Sequence, residues 1–438
     1  MQFIDHIHGT INFRGTPYED LIYELLGCPE VQRLRHMRLM NFDVPYIQDL
    51  ASTKRLPHSI GTCFLAYKTV EKTALPLETK KTIITAALIH DIGILPYGHL
   101  LESTIKKNNP TFSHESLVYS ILNGTYHPTN IYHQILGTES LKLNKVLRQQ
   151  NIKPEDVFRL ICPEKNNETA ISADIDLDNL DNVHRMANLL GYDKSKANLN
   201  TIANSISIDR NYKLIFEKSV TENIREWLKM RQSIYTMIIA HPECVAYNAF
   251  LGKLLKTAVD ANIFNENDWF ITDNKFEEIL NESKLTNKLA SWLYTRQHYE
   301  LVDYIWFISN DVPEMDLYQI EKLIENNSFN KPKKSSFYFF WTDKKLISRE
   351  VKINLKENKT EVIGLNSYSL LVSLIDKSEY RSHVMKISEN AKNKWRKEVN
   401  DFIIKTLPSW NFSTKFPSDY NDNFFNSKID NEQLKLFR

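Results

Sequence analysis

Residues 86–103, "AALIHDIGILPYGHLLES", place His90 and Asp91 side by side at the end of an apolar run, and His99 follows eight residues after Asp91. The run has the character of a buried helix, where an unpaired charge costs on the order of several kcal/mol. Two interpretations follow from these residues. In the first, His90 is a satisfied core histidine and Asp91 caps the segment after Gly93. In the second, His90 and Asp91 are both ligands of a metal ion.

The composition is that of an ordinary soluble protein and argues against several classes. The 438 residues are 42% hydrophobic and 25% charged, and 55 basic against 54 acidic residues leave a formal charge of +1. No basic field for nucleic acid therefore covers the chain as a whole. The four cysteines show no C-x-x-C spacing, and no apolar stretch is long enough to span a membrane. We expect a cytoplasmic, mostly helical protein with reduced thiols and no membrane partner.

The apolar spacing along the chain predicts a fold that is mainly α. Helical periodicity appears at residues 17–40, 58–73, 78–91, 113–123 and 173–191. It continues from 200 to 330. Beyond a linker, "NKPKKSS", the segments "FYFFWT", "REVKINLKE" and "TEVIGL" are typical of strands, and a lysine-rich helix follows near 380–405. We predict a helical core, a helical extension of that core and a small α+β C-terminal region, at residues 1–195, 196–330 and 331–438.

Several imidazoles and carboxylates could share one metal site. They are His58, the His90–Asp91 pair and an acidic helix with Asp174, Asp176, Asp178 and Asp181. This mixture of ligands suits manganese, iron, zinc or magnesium. A divalent ion held in this way can acidify water and neutralise phosphate oxygens, as phosphoester hydrolysis requires. His99 and His114 follow shortly after and could protonate a leaving oxygen, and Arg55 suits a phosphate or a base.

Six ordered segments give the chain a family resemblance that covers about residues 1–195. They are "DHIHGTI" at 5–11, "QRLR" at 32–35, "RLPHSIG" at 55–61, "HDIGILPYGH" at 90–99, "HE" at 114–115 and "DLDNLDNVHR" at 176–185. As a set they resemble the HD-domain phosphohydrolases, and within these the deoxynucleoside triphosphate triphosphohydrolases. The resemblance implies a helical HD-domain body as the core of the fold.

The resemblance also implies roles for individual residues. It implies four ligands of a divalent ion: His58, His90, Asp91 and Asp178. Asp178 is preferred to Asp176 because it holds the aspartate position that precedes Asp181 in the family pattern. It implies three catalytic side chains and one that binds substrate: His99 in proton transfer, His114 at the phosphate, Glu102 orienting a histidine, and Arg55 on the substrate.

Some positions depart from the family pattern. Ile94 stands where relatives usually have a histidine near the phosphate. Leu39, Asn182 and Met186 replace polar groups that hold the sugar in typical relatives. A site without those groups cannot use them to discriminate between sugars. We therefore expect weaker sugar discrimination than in typical relatives, or a different ligand. His6 and His8 are interpreted as buried turn histidines.

The resemblance and the candidate site together predict metal-dependent hydrolysis of a nucleotide, with a deoxynucleoside triphosphate yielding deoxynucleoside and triphosphate. One alternative keeps the chemistry but acts on another nucleotide or on a single-stranded nucleic-acid end. Another is a nucleotide-sensing protein with little turnover, which Ile94 favours. We also expect a homo-oligomer, because the apolar segments between 200 and 330 exceed what one small body needs to bury.

Overall fold

A computed structural model describes most of the chain. The described residues are 1–40, 44–109, 111–112, 114–126, 141–164, 167–264, 270–295, 299–356, 359–376 and 387–420. The chain divides into two compact units. The first comprises Met1–Trp227, Leu254–Ser291 and Val351–Ile363, and the second comprises Leu228–Lys253, Trp292–Glu350 and Gly364–Arg438. This division differs from the predicted one, because a pair of strands beyond residue 350 belongs with the N-terminal unit.

Helices account for most of the first unit, and others lie in the second. In chain order the described α-helices are α1 (Glu19–Leu26), α2 (Pro29–Gln32), α3 (Gln48–Ser52), α4 (Arg55–Val70), α5 (Leu77–Ile89), α6 (Gly98–Asn108), α7 (His114–Asn123), α8 (Leu143–Gln149), α9 (Pro154–Ile161), α10 (Leu177–Leu189), α11 (Ser195–Ser205), α12 (Thr221–Ala240), α13 (Pro242–Asp260), α14 (Asp273–Glu282), α15 (Asn287–Thr295), α16 (Leu317–Glu325) and α17 (Glu389–Thr406). None of them is both long and apolar enough to cross a membrane.

Strands form one hairpin and two four-stranded sheets in the described residues. They are β1 (Gln2–Asp5), β2 (Gly9–Asn12), β3 (Ile206–Ile208), β4 (Leu214–Phe216), β5 (Glu300–Ser309), β6 (Phe337–Lys344), β7 (Val351–Leu355), β8 (Thr360–Ile363), β9 (Tyr368–Asp376) and β10 (Ser413–Lys415). The hairpin pairs β1 with β2, from Gln2 opposite Asn12 to Asp5 opposite Gly9. One sheet has the order β3-β4-β7-β8, and the other has the order β10-β5-β9-β6.

Three helices at the centre of the first unit carry most of the predicted ligands. Helix α4 packs against both α5 and α10. The second half of α5, Ile83–Ile89, is buried without interruption, which matches the apolar run before His90. Helix α10 begins after Asp176, whose side chain accepts a hydrogen bond from the Asn179 amide in the usual manner of an N-cap. The start of α4, the end of α5 and the start of α10 thus meet at one place.

The mainly helical fold predicted from the sequence is confirmed, including its breaks. Helix α1 ends at Leu26 and α2 begins at Pro29, and Gly191 follows α10 with a φ of 89°, as a C-terminal glycine does. The strands predicted in the C-terminal region are confirmed as β6, β7 and β8.

The prediction of a helix through residues 300–309 is wrong, because this segment is strand β5. Asp303–Ser309 is buried at every position. Strand β5 pairs with β10 on one side and β9 on the other, and helices α16 and α17 contribute to the same buried core. A strand covered on both faces is a continuous apolar run, which periodicity alone cannot distinguish from a buried helix.

Candidate metal centre

Three predicted ligands come together in the first unit. His58 Nε2 lies 3.2 Å from His90 Nε2, and Asp178 Oδ1 lies 2.9 Å from the first and 3.6 Å from the second. These spacings are those between neighbouring ligands on an ion with bonds of about 2.1 Å, which is typical of nitrogen and oxygen ligands of zinc. Among the residues that the structure describes, these three form the group able to hold a metal ion. The donor set fits a divalent ion.

Both histidines present the correct nitrogen to this cluster. His90 Nδ1 lies 2.9 Å from the carbonyl oxygen of Ala87, which can only accept, so Nδ1 carries the hydrogen. His58 Nδ1 lies 2.7 Å from Asp181 Oδ2. In each ring Nε2 is therefore the nitrogen that faces Asp178 and is left to bind a metal ion. This arrangement, in which a second acceptor fixes the tautomer of a metal-binding histidine, is common in metal sites.

The fourth predicted ligand, Asp91, lies at the edge of the cluster. Its Oδ2 is 3.7 Å from His90 Nε2 and 2.8 Å from Arg55 Nη1. Burial raises the pKa of Asp91, but the charges of Arg55 and the histidines outweigh burial and hold the pKa near 2. Asp91 is therefore an anion beside the three clustered ligands, and its role as a fourth ligand stays a prediction.

Arg55, predicted to bind substrate, has protein partners instead. Besides Asp91, its guanidinium donates from Nε to the carbonyl oxygen of Arg38 at 3.0 Å and from Nη2 to that of Leu39 at 3.2 Å. The residue is only 7% exposed. In this geometry Arg55 holds the carboxylate of Asp91 in place. A substrate contact by Arg55 stays a prediction.

Asp178 and Asp176 lie close together in distinct environments: Asp176 is buried, whereas the side chain of Asp178 is 31% exposed. Burial raises the pKa of Asp178, but the charge of His90 and a hydrogen bond with His58 hold it below its usual range. Asp176 caps α10, and its oxygens accept from the amides of Ala173 and Asn179 at 2.8 Å and 2.7 Å. Burial and the neighbouring Asp178 raise the pKa of Asp176 to about 7. The side chain that faces both histidines is thus Asp178.

A buried network behind His58 was not identified as functional from the sequence. Asp181 Oδ2 binds His58 Nδ1, and its Oδ1 lies 2.6 Å from His8 Nε2. Arg185 donates to both oxygens of Asp181, at 2.8 Å and 3.1 Å, and to Asp5 Oδ2 at 2.8 Å. Burial raises the pKa of Asp181, but Arg185 and the two histidines hold it well below its ordinary value. The four-residue spacing of Asp181 and Arg185 on one helix was the available sequence signal.

A cavity of about 530 Å³ opens beside the cluster. Its polar lining comes from His90, Asp91, His99, His114, Cys162, Ser172, Asp176, Asp178 and Asn179. Three of the four predicted ligands and both predicted catalytic histidines therefore face one space. The cavity has room for a phosphate ester together with part of its leaving group.

Glu102 holds both predicted catalytic histidines. His99 Nδ1 lies 3.0 Å from Glu102 Oε2, and His114 Nδ1 lies 2.8 Å from Oε1, which also accepts from Lys106 at 2.7 Å. Burial raises the pKa of Glu102, but the hydrogen bonds from His114 and His99 outweigh burial. The pKa is therefore below its usual range, and the carboxylate stays ionised. With Nδ1 bound to Glu102, Nε2 is the nitrogen of His99 that can act on a substrate. His99 is the more open, with a side chain 65% exposed against 26% for His114.

The departures from the family pattern occupy two kinds of position. Ile94 lines the cavity. Leu39 and Met186 are buried, at 6% and 2% exposure, and Asn182 has a buried side-chain oxygen without a hydrogen-bond partner. In the described part of the chain none of these last three lines the cavity. Their effect on sugar selection stays a prediction.

Comparisons with known proteins agree with this geometry. Residues 55–186 match the family model described as HD domain, and this range includes every ligand of the cluster. The structure resembles a crystal structure of a phosphohydrolase from Bacteroides thetaiotaomicron, with a TM-score of 0.58, 16% identity, and coverage of 85% of this chain and 99% of the other. At that identity the likeness shows a shared fold.

Relatives in the curated collection are distant. An uncharacterized protein of Mycoplasma genitalium, MG461, is 22% identical over 66% of this chain and 68% of its own length. The uncharacterized protein YwfO of Bacillus subtilis is 24% identical over 58% of this chain and 55% of its own length. A protein of Dictyostelium discoideum named deoxynucleoside triphosphate triphosphohydrolase SAMHD1 homolog is 24% identical, over 67% of this chain and 54% of that protein. Taken together, the family match and the histidine–aspartate cluster show that residues 55–186 contain an HD domain whose His58, His90 and Asp178 could hold a metal ion.

Proposed function

We propose that this protein hydrolyses deoxynucleoside triphosphates to deoxynucleoside and triphosphate. The observation that carries the proposal is that His90 and Asp178 of the cluster line the same cavity as His99 and His114. The name of the Dictyostelium relative supports the choice of a deoxynucleotide.

The side chains of the cavity supply the remaining groups that such a reaction needs. A divalent ion held by His58, His90 and Asp178 would neutralise phosphate oxygens and acidify water. Water adds to the α-phosphorus, the bond from phosphorus to the 5′ oxygen breaks, and that oxygen takes up a proton. His99 is placed to donate this proton from Nε2, because Glu102 already binds Nδ1. His114, on the other oxygen of Glu102, is placed to hydrogen-bond a phosphate oxygen.

The test is to incubate the protein with manganese and each deoxynucleoside and ribonucleoside triphosphate, then separate the products by anion exchange. We expect deoxynucleoside and triphosphate from at least one deoxynucleotide. In water labelled with oxygen-18, the label should appear in triphosphate, because attack occurs at phosphorus. Asp178→Asn should abolish the reaction, and Asp193→Asn, the same change at an exposed position, should leave it unchanged. Release of diphosphate and orthophosphate would contradict the proposal.

A nucleotide-sensing role is the second candidate, because Ile94 places an apolar side chain in the cavity wall. In that case calorimetry should detect tight nucleotide binding without product formation. Ile94→His should then raise turnover, with little change in binding. Including a single-stranded oligonucleotide in the substrate panel tests the nuclease alternative directly.

A further inference from the structure

The N-terminal hairpin reaches the metal centre through His8. This residue lies in the turn between β1 and β2, and its Nε2 is 2.6 Å from Asp181 Oδ1 although the two residues are 173 positions apart in the chain. The side chains of His8 and Asp181 are 3% and 0% exposed. The contact is therefore closed to solvent, and water does not replace the hydrogen bond if the imidazole is removed.

Asp5 gives that turn a fixed shape and anchors it. Asp5 Oδ1 accepts hydrogen bonds from the backbone amides of Ile7 and His8, at 2.9 Å and 3.0 Å. Asp5 Oδ2 accepts from Arg185 Nη1 at 2.8 Å. The same arginine donates to both oxygens of Asp181. The turn that presents His8 and the carboxylate that receives it are thus tied to one guanidinium.

The hydrogen bond from His8 restrains the rotation of the Asp181 carboxylate. Oδ2 must face His58 Nδ1 so that His58 Nε2 points at the metal cluster. Oδ1 is held by His8 at 2.6 Å and by Arg185 Nη2 at the longer distance of 3.1 Å. Without His8, Oδ1 keeps only the longer hydrogen bond from Arg185 Nη2, so the carboxylate can turn further about its Cβ–Cγ bond and its alignment with His58 is weakened.

We infer that His8 is a positioning residue for the metal ligand His58, acting through Asp181, and that the β1–β2 hairpin is part of the metal centre. This inference requires only that the cluster binds a metal ion. It does not depend on which nucleotide is hydrolysed. Partners that orient metal-bound histidines typically change metal affinity by about 10- to 100-fold when removed.

The test compares two substitutions that separate packing from hydrogen bonding. His8→Phe keeps the edge-on contact with Phe64, whose ring centre is 5.6 Å away, but removes the donor. His8→Gln keeps a donor of similar reach. We expect manganese affinity, measured by calorimetry on the metal-free protein, to fall about 10- to 100-fold in His8→Phe and to remain within about threefold in His8→Gln.

His184→Gln is the matched control. His184, like His8, is a histidine with a buried side chain, and it lies on α10. Its ring nitrogens, however, bond to the Leu180 carbonyl oxygen at 2.6 Å and to Asn198 Oδ1 at 2.7 Å. We expect its loss to affect thermal stability without lowering metal affinity. The inference is overturned if His8→Phe binds manganese like the original protein, if His8→Gln is as weak as His8→Phe, or if His184→Gln loses the same affinity. Should His8→Phe not fold, His8→Asn, whose amide is too short to reach Asp181, takes its place under the same criteria.

Discussion

Gly61 offers a sharp test of the network behind His58. In a helix, replacing glycine by alanine ordinarily stabilises a protein by about 1 kcal/mol. In α4, however, a β-carbon at position 61 would lie 2.1 Å from Asp181 Oδ1 and 2.6 Å from Arg185 Nη2. Ordinary contact begins at 3.4 Å, so the carboxylate would have to move by about 1.3 Å, which is the difference between 3.4 and 2.1 Å. The steric term therefore opposes the helix propensity.

The size of the effect follows from what that movement breaks. Asp181 is fully buried and is held by His8, His58 and Arg185. Overpacking a buried site costs about 1–3 kcal/mol, and weakening one hydrogen bond to a charged group costs about 1.5–3 kcal/mol more. After the gain of about 1 kcal/mol from helix propensity is subtracted, we expect Gly61→Ala to lower the free energy of unfolding by about 1.5–5 kcal/mol.

Urea unfolding of the metal-free protein measures this difference, and Gly252→Ala is the control. In α13 the β-carbon at position 252 would lie 3.7 Å from a ring carbon of Phe339, an ordinary contact. We expect that substitution to be neutral or to stabilise by up to about 1 kcal/mol. If Gly61→Ala is as stable as the original protein and binds manganese equally well, the network has room to adjust, and the reasoning fails.

Further predictions address the ion pair, the metal ligand and a second buried carboxylate. Arg55→Met should lower the free energy of unfolding by about 3–5 kcal/mol because it leaves Asp91 buried without its partner; a loss under 1 kcal/mol in urea unfolding would count against this. Asp178→Asn should remove bound manganese, measured by elemental analysis after dialysis, with an unchanged helical circular dichroism spectrum, and full occupancy would disprove its role as a ligand. Glu102→Gln should lower kcat by about 10²–10⁴-fold with a smaller effect on KM, because an amide has one acceptor oxygen and cannot hold both His99 and His114; a rise in KM as large as the fall in kcat would indicate a binding role. Burial raises the pKa of Asp343 from 3.8 to about 6. The folded chain therefore holds this proton more tightly than the unfolded chain, and stability present below pH 3.8 is lost as the pH rises to about 6, by roughly 3 kcal/mol. Asp343→Asn should flatten this part of the stability curve, and an unchanged slope would refute the assignment.

The sequence alone determined the chemistry of the centre and the helices that carry it. The apolar run before His90 and the helical periodicity at 173–191 depend on neighbours along the chain, and local physics decides them. The residue types of the ligands, two imidazoles and a carboxylate, limited the site to divalent metals. For these features spacing is sufficient evidence, because a helix places side chains by a fixed repeat.

Tertiary structure decided which distant side chains meet. Nothing in the spacing of His8 and Asp181 indicates that they are 2.6 Å apart, since the contact exists only once the hairpin packs against the helices. Likewise, the packing of α4 against α5 decides the partners of Arg55. Burial on both faces decides that residues 300–309 form a strand. Hydrogen bonds between side chains far apart in sequence depend on the folded path of the chain, which local periodicity does not encode.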